Sequence, residues 1–285
     1  MQPVDLIATC WTIGGDVYPG TEQHLSAFDQ IQRVEAAAAA GYTGIGLWHG
    51  DLLRVKAGQH AYRELAAVLR GNGMNAIELE HLANWFADGE PRRQSDAIKR
   101  ELFHAADELG ARHIKVVPPF GNQGWEPARL IDQFGQLCAE AAMHDLIIAL
   151  EMIPFSDLPT LDATLAIVAG ADAANGGLLI DIWHVMRAGV DFDAIRRLPS
   201  RYIAAAELND ADLRLCADMP EDSMRYRKFC GAGEFDLPGF IRALSEAGYR
   251  GPYGVEILSD ELRKMPLAEV ATRSFATTRA QFDRL

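Results

Sequence analysis

Four acidic residues stand at or near the ends of short apolar runs, where buried carboxylates can take part in chemistry. They are Glu151, Asp181, Glu207 and Glu256, in the runs 146–151, 177–181, 202–207 and 252–257. A carboxylate is costly to bury unless it is paired, hydrogen-bonded or bound to a metal. Since four of them together would repel one another, a divalent cation is the simplest group that neutralises them. An all-oxygen ligand set predicts a single Mn²⁺ or Mg²⁺, with Co²⁺ and Zn²⁺ as alternatives. The other interpretation is that some of these acids pair with Arg or Lys, or point into solvent.

Two further residues near these acids could contact a substrate. His184 lies three residues after Asp181, and it could donate to a substrate oxygen or support a metal ligand. Arg227 lies in the irregular stretch 209–236, where it could bind a carboxylate, phosphate or hydroxyl group. A structural histidine and a solvated loop arginine are the alternative interpretations.

The elements that must position these residues alternate regularly along the chain. Strand-like runs occupy 4–10, 43–48, 74–79, 112–117, 146–151, 177–181, 202–207 and 252–257. Helix-like segments occupy 25–40, 60–70, 95–109, 128–142, 160–169, 191–198, 237–247 and 266–283. Eight such pairs predict a (β/α)8 TIM barrel, formed as one domain over residues 1–285. An open doubly wound sheet is the rival, but no G-x-G-x-x-G turn follows the first strand.

Glycines mark the predicted helix ends, where a left-handed cap residue is expected. They are Gly41, Gly71, Gly110, Gly170 and Gly248.

In such a barrel, catalytic groups lie at the carboxyl ends of the strands. Trp11, His49 and His81 fall at or beyond strand ends and are predicted to line a substrate pocket, although each could equally serve in packing. Lys115 lies inside the run 112–117. It fits a barrel-facing partner of one of the carboxylates, or a side chain that faces a helix or solvent.

Composition excludes several classes of function. The chain has 27 basic and 40 acidic residues and a net charge of −13, so nucleic acid is an unfavourable partner. No run reaches the roughly 18 apolar residues of a membrane helix. Four cysteines match no zinc spacing, and the first residues do not resemble a signal peptide. We therefore expect reduced thiols and a cytoplasmic location.

Several motifs resemble the sugar phosphate isomerase/epimerase superfamily, the xylose isomerase-like TIM barrels that also include endonuclease IV. The chain has a glutamate at the end of LIIALE and a D-x-x-H-x-x-x-x-G pattern formed by Asp181, His184 and Gly189. ELNDA follows at 207–211, and GAGEFDLPGFIRAL at 231–244 precedes GYRGPYGVEIL. The resemblance covers most of the chain.

The resemblance implies that Glu151, Asp181 and Glu256 bind one divalent metal, with Glu151 and Glu256 as the acid/base pair. It also implies that His184 and Arg227 contact the substrate. Glu207 departs from the pattern, because relatives have His or Gln there; metal identity and ligand number therefore stay open. The extra histidines of the endonuclease IV cluster are missing, so DNA repair is not expected.

These expectations lead to three functional hypotheses. The first is a metal-dependent isomerase or epimerase of a small keto-sugar or hydroxy-ketone, which removes a proton through an enediolate. The second is a lyase or dehydratase that shares this intermediate, as in the 3-dehydroshikimate dehydratase-like branch. The third is a catalytically silent barrel that binds a small molecule, suggested by Glu207. The expected partner is a carbohydrate-like small molecule, and a homo-oligomer is compatible with the resemblance.

Overall fold

Eight parallel strands close into a barrel in the order in which they occur in the chain. The structure is a computed structural model that describes residues 4–21, 24–59 and 62–285. The strands are β1 (Leu6–Ala8), β2 (Gly44–Trp48), β3 (Ala76–Leu82), β4 (His113–Val116), β5 (Ile147–Glu151), β6 (Gly176–Asp181), β7 (Ile203–Leu208) and β8 (Tyr253–Val255). Parallel pairing of β1 with β8 closes the ring. The predicted (β/α)8 barrel is confirmed.

Helices surround the barrel and cover the apolar outer faces of the strands. They are α1 (Cys10–Ile13), α2 (Gln30–Ala40), α3 (His49–Arg54), α4 (Tyr62–Gly71), α5 (Gly89–Leu109), α6 (Pro127–Ala142), α7 (Leu161–Ala171), α8 (Ile182–Arg187), α9 (Phe192–Arg196), α10 (Met219–Arg225), α11 (Leu237–Glu246) and α12 (Leu267–Phe282). Helix α2 begins five residues later than the pattern 25–40 suggests, because Asp29 and Gln32 form a capping box there. Residues 60 and 61 of the predicted segment 60–70 lie outside the described ranges.

Two strand ends differ from the sequence prediction in ways that matter for the site. Strand β3 continues to Leu82, so Glu80 and His81 lie within it. Strand β8 stops at Val255, and Glu256 follows immediately, with its N–H donating to the carbonyl of Leu208. All four predicted acids are therefore at the carboxyl-terminal mouth of the barrel.

Three of the five predicted glycine caps have positive φ angles, namely Gly41, Gly110 and Gly248. Gly71 and Gly170 instead lie inside α4 and α7. Packing accounts for glycine at position 170, because a Cβ there would lie 2.6 Å from the Ile131 side chain of the neighbouring helix α6.

Along the barrel axis, an apolar layer of the interior is followed by the acidic side chains at the strand ends. Ala149, Leu179 and Ala205 belong to a small apolar cluster. Because side chains two residues apart point to the same side of a strand, the acids at the ends of β5, β6 and β7 face the same interior. In the described ranges, no helix has the length and apolarity needed to cross a membrane. All four cysteines are free, and Cys216 alone is exposed.

Candidate active site

The four predicted carboxylates converge at the barrel mouth. Glu151, Asp181, Glu207 and Glu256 each offer an oxygen that lies within 4.8 Å of the others. Asp181 and Glu207 are direct neighbours in the β6–β7 ladder. All four side chains are almost completely buried. Strand register thus assembles the cluster from residues that span more than one hundred positions of the chain, from Glu151 to Glu256.

Lys115 crosses the interior from β4 and binds carboxylates on three other sides. Its Nζ lies 3.2 Å from an oxygen of each of Glu78, Glu80 and Glu256, and it also forms an ion pair with Glu207. The side chain is 3% exposed. Of the orientations that the sequence leaves open, the structure has the barrel-facing one. Lys115 therefore lies in contact with the carboxylates, at the base of the cluster.

Glycine makes room for this network at two positions. A Cβ on Gly46 of β2 would lie 2.8 Å from carboxylate oxygens of both Glu78 and Glu80. A Cβ on Gly254 of β8 would lie 2.9 Å from Cγ of Glu207. Both positions require glycine because a carboxylate side chain occupies the space that a Cβ would need.

Arg227 is the second cation of the cluster. Its Nη1 donates to Asp181 Oδ2 at 2.8 Å and to Glu256 Oε2 at 3.0 Å. Ser223 fixes the other side of the guanidinium through its carbonyl and hydroxyl oxygens. The structure buries Arg227 against two carboxylates instead of leaving it in a solvated loop.

His184 contacts the cluster on the opposite side. Its Nε2 lies 3.0 Å from Glu151 Oε1, and its side chain is 3% exposed. His184 also belongs, with Glu151 and Asp181, to a second group of atoms spaced closely enough to bind a metal. Asp181 itself accepts hydrogen bonds from the Trp183 backbone and the Asn209 amide.

The cluster carries an excess of negative charge. Six carboxylates surround the two permanent cations Lys115 and Arg227 in this part of the described structure: Glu78, Glu80, Glu151, Asp181, Glu207 and Glu256. Burial raises the pKa of Glu207 well above its usual range, and the neighbouring Glu256 adds to the shift although Lys115 opposes it. Burial likewise raises the pKa of Glu256 to about 7 against the effect of Lys115 and Arg227.

The pKa values of two other carboxyl groups, Asp181 and Glu78, are lowered. Burial would raise the pKa of Asp181, but the charge of Arg227 and the proximity of His184 outweigh burial and lower it. Lys115 and His113 similarly lower the pKa of Glu78 to about 2 against the effect of burial. The arrangement thus holds some carboxylates firmly ionised while it favours the neutral form of others.

The donor set fits a divalent metal. Glu207 Oε2 and Asn209 Oδ1 are buried and have no hydrogen-bond partner in the described part of the chain. An unpaired buried carboxylate oxygen is unfavourable unless a cation or donor satisfies it. A metal bound by the four clustered carboxylates would satisfy Glu207 and reduce the negative charge.

The remaining predicted residues lie around the mouth. Trp11 is buried and packs on Trp48 with 5.1 Å between ring centroids. His81, in β3, also packs on Trp48, with the same distance between ring centroids. Burial lowers the pKa of His81 to about 4, although Glu151 acts in the opposite direction. His49 begins α3, and burial lowers its pKa.

Sequence reasoning missed several residues of the network. Nε2 of His113 lies 3.2 Å from Oε2 of Glu78, and neither residue was predicted as a site residue. A signal existed: Glu78 and Glu80, and His113 and Lys115, are spaced by two, so each pair points to the same side of its strand. Two polar residues at this spacing in an apolar run indicate a polar barrel interior.

The sequence of residues 34–281 matches the family model described as xylose isomerase-like TIM barrel. The chain belongs to this family. The predicted resemblance is therefore confirmed at the level of the family.

Named relatives in this family are enzymes. The chain is 31% identical over 239 residues to a 3-dehydroshikimate dehydratase of Pseudomonas aeruginosa; the match covers 82% of this chain but 37% of that protein's length. It is 21% identical to an inosose isomerase of Bacillus velezensis, over 87% of this chain and 90% of the relative. Among solved structures, the IOLI protein with a bound zinc atom is similar with a TM-score of 0.81 and 19% identity, covering 98% of both chains.

Proposed function

We propose that the protein is a divalent-metal-dependent isomerase or epimerase that acts on a keto-sugar or related hydroxy-ketone. The observation that carries this proposal is the convergence of Glu151 and Glu256 in one buried cluster whose oxygens lie within 4.8 Å of one another. Two carboxylates so placed can remove a proton from one position of a substrate and return it at another.

Glu151, Asp181, Glu207 and Glu256 would hold the metal. A bound divalent ion supplies Lewis acidity that polarises a substrate carbonyl. Arg227 holds Asp181 and Glu256 in place through ion pairs. Lys115 holds Glu207 and Glu256 in the same way. These contacts fix the ligand oxygens before a substrate arrives.

The two proposed acid/base groups have different surroundings. Glu151 contacts His184, which orients the carboxylate. Glu256 contacts two cations, yet burial brings its pKa to about 7. A bound divalent cation would lower this pKa, so the value applies to the metal-free protein. We propose that Glu151 and Glu256 form the acid/base pair, in which one removes the proton and the other returns it.

A dehydratase is the second candidate. It is supported by the 31% identity to the P. aeruginosa 3-dehydroshikimate dehydratase across most of this chain. The first step would be the same removal of a proton next to a carbonyl. The outcome differs because a hydroxyl group on the adjacent carbon then leaves as water, with a proton from the paired carboxylic acid.

One experiment separates the two candidates. Protein supplied with Mn²⁺ would be incubated in D₂O with an inosose and, separately, with 3-dehydroshikimate, and the products followed by NMR and mass spectrometry. Deuterium incorporation in a product that has lost no water supports the isomerase or epimerase. Loss of one water supports the dehydratase. If neither compound exchanges a proton and the protein binds no metal, the catalytic proposal is wrong and a binding function is favoured.

A further inference from the structure

A cavity of about 670 Å³ lies at the barrel mouth, beside the carboxylate cluster. It is formed by the segments that follow β1, β3 and β4, together with α10. We refer to it as the apolar pocket, for the side chains of Ala83, Phe86, Phe120, Trp125 and Met224 that line it. Its volume lies within the range of about 300–1,000 Å³ that is typical of small-molecule sites.

The apolar pocket adjoins the proposed catalytic groups on two sides. His81 lines the pocket, and the negative charge of Glu151 acts on its imidazole. Met224 also lines the pocket, and the preceding residue, Ser223, holds the guanidinium of Arg227. A ligand at the carboxylate cluster can therefore extend into the pocket without leaving the barrel mouth.

The chemistry of the pocket differs from that of the cluster. Among its described lining residues, Asp88 is the single side chain with a permanent charge, and it is exposed. Phe86 is buried and stacks edge-on against Trp125 with 5.1 Å between centroids. The polar lining side chains Asn84 and Gln123 are exposed, so hydroxyl groups placed against the aromatic wall would lose water and find few partners there. An apolar ring would gain from the same burial.

The geometry points to a substrate with two unlike ends. Its adjacent oxygens lie at the carboxylate cluster, and an apolar, ring-sized substituent occupies the apolar pocket. This inference rests on the proposed metal-dependent function, and it specifies the substrate class: a hydroxy-ketone or keto-sugar that carries an apolar group, not a bare polyol. Trp125 adds one polar feature, since its buried Nε1 has no hydrogen-bond partner in the described structure and can donate to an oxygen of the substituent.

Two hydroxamates that differ in a single group test the inference. Acetohydroxamate and benzohydroxamate each present two adjacent oxygens to a metal, but only the second carries a ring. Their affinities for the full chain would be measured by calorimetry with and without Mn²⁺. We expect benzohydroxamate to bind the Mn²⁺-loaded protein at least about tenfold more tightly, because the phenyl ring is removed from water.

Variants of the pocket wall locate the effect. Ala83→Phe would fill the pocket, and it should abolish the advantage of benzohydroxamate while leaving the affinity for acetohydroxamate unchanged. Phe120→Ala removes an aromatic wall at a partly exposed position, so it should fold and reduce the advantage severalfold. Ala166→Phe is the matched control, because Ala166 lines a neighbouring groove that shares Trp125 with the pocket but contains neither Ala83 nor Phe120.

The outcomes distinguish failure of the inferred substrate class from failure of the proposed metal-dependent function. Equal binding of both hydroxamates by the Mn²⁺-loaded protein overturns the inferred substrate class but leaves the metal-dependent function standing. An advantage of benzohydroxamate that persists in Ala83→Phe also overturns the inference, since the ring must then bind elsewhere. If neither compound binds in a Mn²⁺-dependent manner, the proposed function fails and the inference fails with it.

Discussion

The carboxylate cluster and the apolar pocket share the mouth of one barrel, but they are built in different ways. The cluster consists of residues on or directly after the strands, and Lys115 and Arg227 connect its acids by short ion pairs. The pocket consists mainly of loop residues, such as Ala83 and Phe120, whose contacts are apolar. His81 lies where the two meet.

This difference indicates how each region contributes to function. Buried charges depend strongly on one another, so a change to one member of the cluster should affect chemistry, metal binding and stability together. Apolar loop residues make weaker and more independent contributions, so changes there should alter which ligands bind and little else. The following predictions test this contrast, beginning with the largest effect.

Replacing either proposed acid/base group should cause the greatest loss. We expect Glu256→Gln and Glu151→Gln to lower kcat by about a hundredfold to ten-thousandfold on the substrate identified in the exchange assay, because general acid–base catalysis is of that size. Elemental analysis of each variant separates lost metal from lost proton transfer. Glu246→Gln, which alters a surface ion pair, is the control and should keep its turnover. Full activity in Glu256→Gln would show that Glu256 does not belong to the acid/base pair.

Removing the central ammonium should destabilise the protein. Lys115→Met leaves the glutamates around it without their shared cation, and we expect the free energy of unfolding to fall by about 3–5 kcal/mol. Urea titration of metal-free protein measures this change. Lys56→Met breaks an exposed pair with Glu101 and should cost less than about 1 kcal/mol. If the free energy of unfolding falls by the same small amount in both variants, Lys115 does not stabilise the cluster.

The junction residue His81 should give the protein a specific pH dependence. Its pKa is about 4 in the folded protein and 6.5 ordinarily, so folding favours the neutral ring. The stability that this supplies is complete above pH 6.5 and decreases as the pH falls. Between pH 7 and 5, metal-free wild type should lose about 2 kcal/mol relative to His81→Gln. Denaturant titrations at the two pH values measure this difference. A constant difference would contradict a neutral His81 ring in the folded protein.

The smallest effect on stability is expected in the pocket wall. Phe120 is 40% exposed, so Phe120→Ala should change the free energy of unfolding by less than about 1 kcal/mol. The melting temperature with and without Mn²⁺ measures it, and the shift produced by the metal should equal that of wild type. A loss comparable to that of Lys115→Met would remove the contrast between the two regions.

The two regions also differ in how well the sequence predicts them. Glu151, Asp181 and Glu207 each end an apolar run, and parallel strands bring such ends together, so their convergence could be predicted. Glu78 and His113 were missed because they lie inside their runs, where Lys115 was the one polar side chain considered to face the barrel interior. The pocket left no periodic signal, since residues such as Ala83 and Met224 come from different loops and helices. Their proximity depends on loop conformation, which hydrophobic periodicity does not encode.

Lys115 also has a consequence for motion. Its ammonium connects β4 with acids of β3 and β7 and with the residue that follows β8, so strands from distant parts of the ring share one charge. If one of these strands separated from the barrel, the Lys115 ammonium or its carboxylate partners would be left without a counter-ion in apolar surroundings. These strands should therefore open together, and their backbone amides should exchange with solvent mainly through global unfolding. The ion network that holds the site in place would then also make the barrel a single cooperative unit.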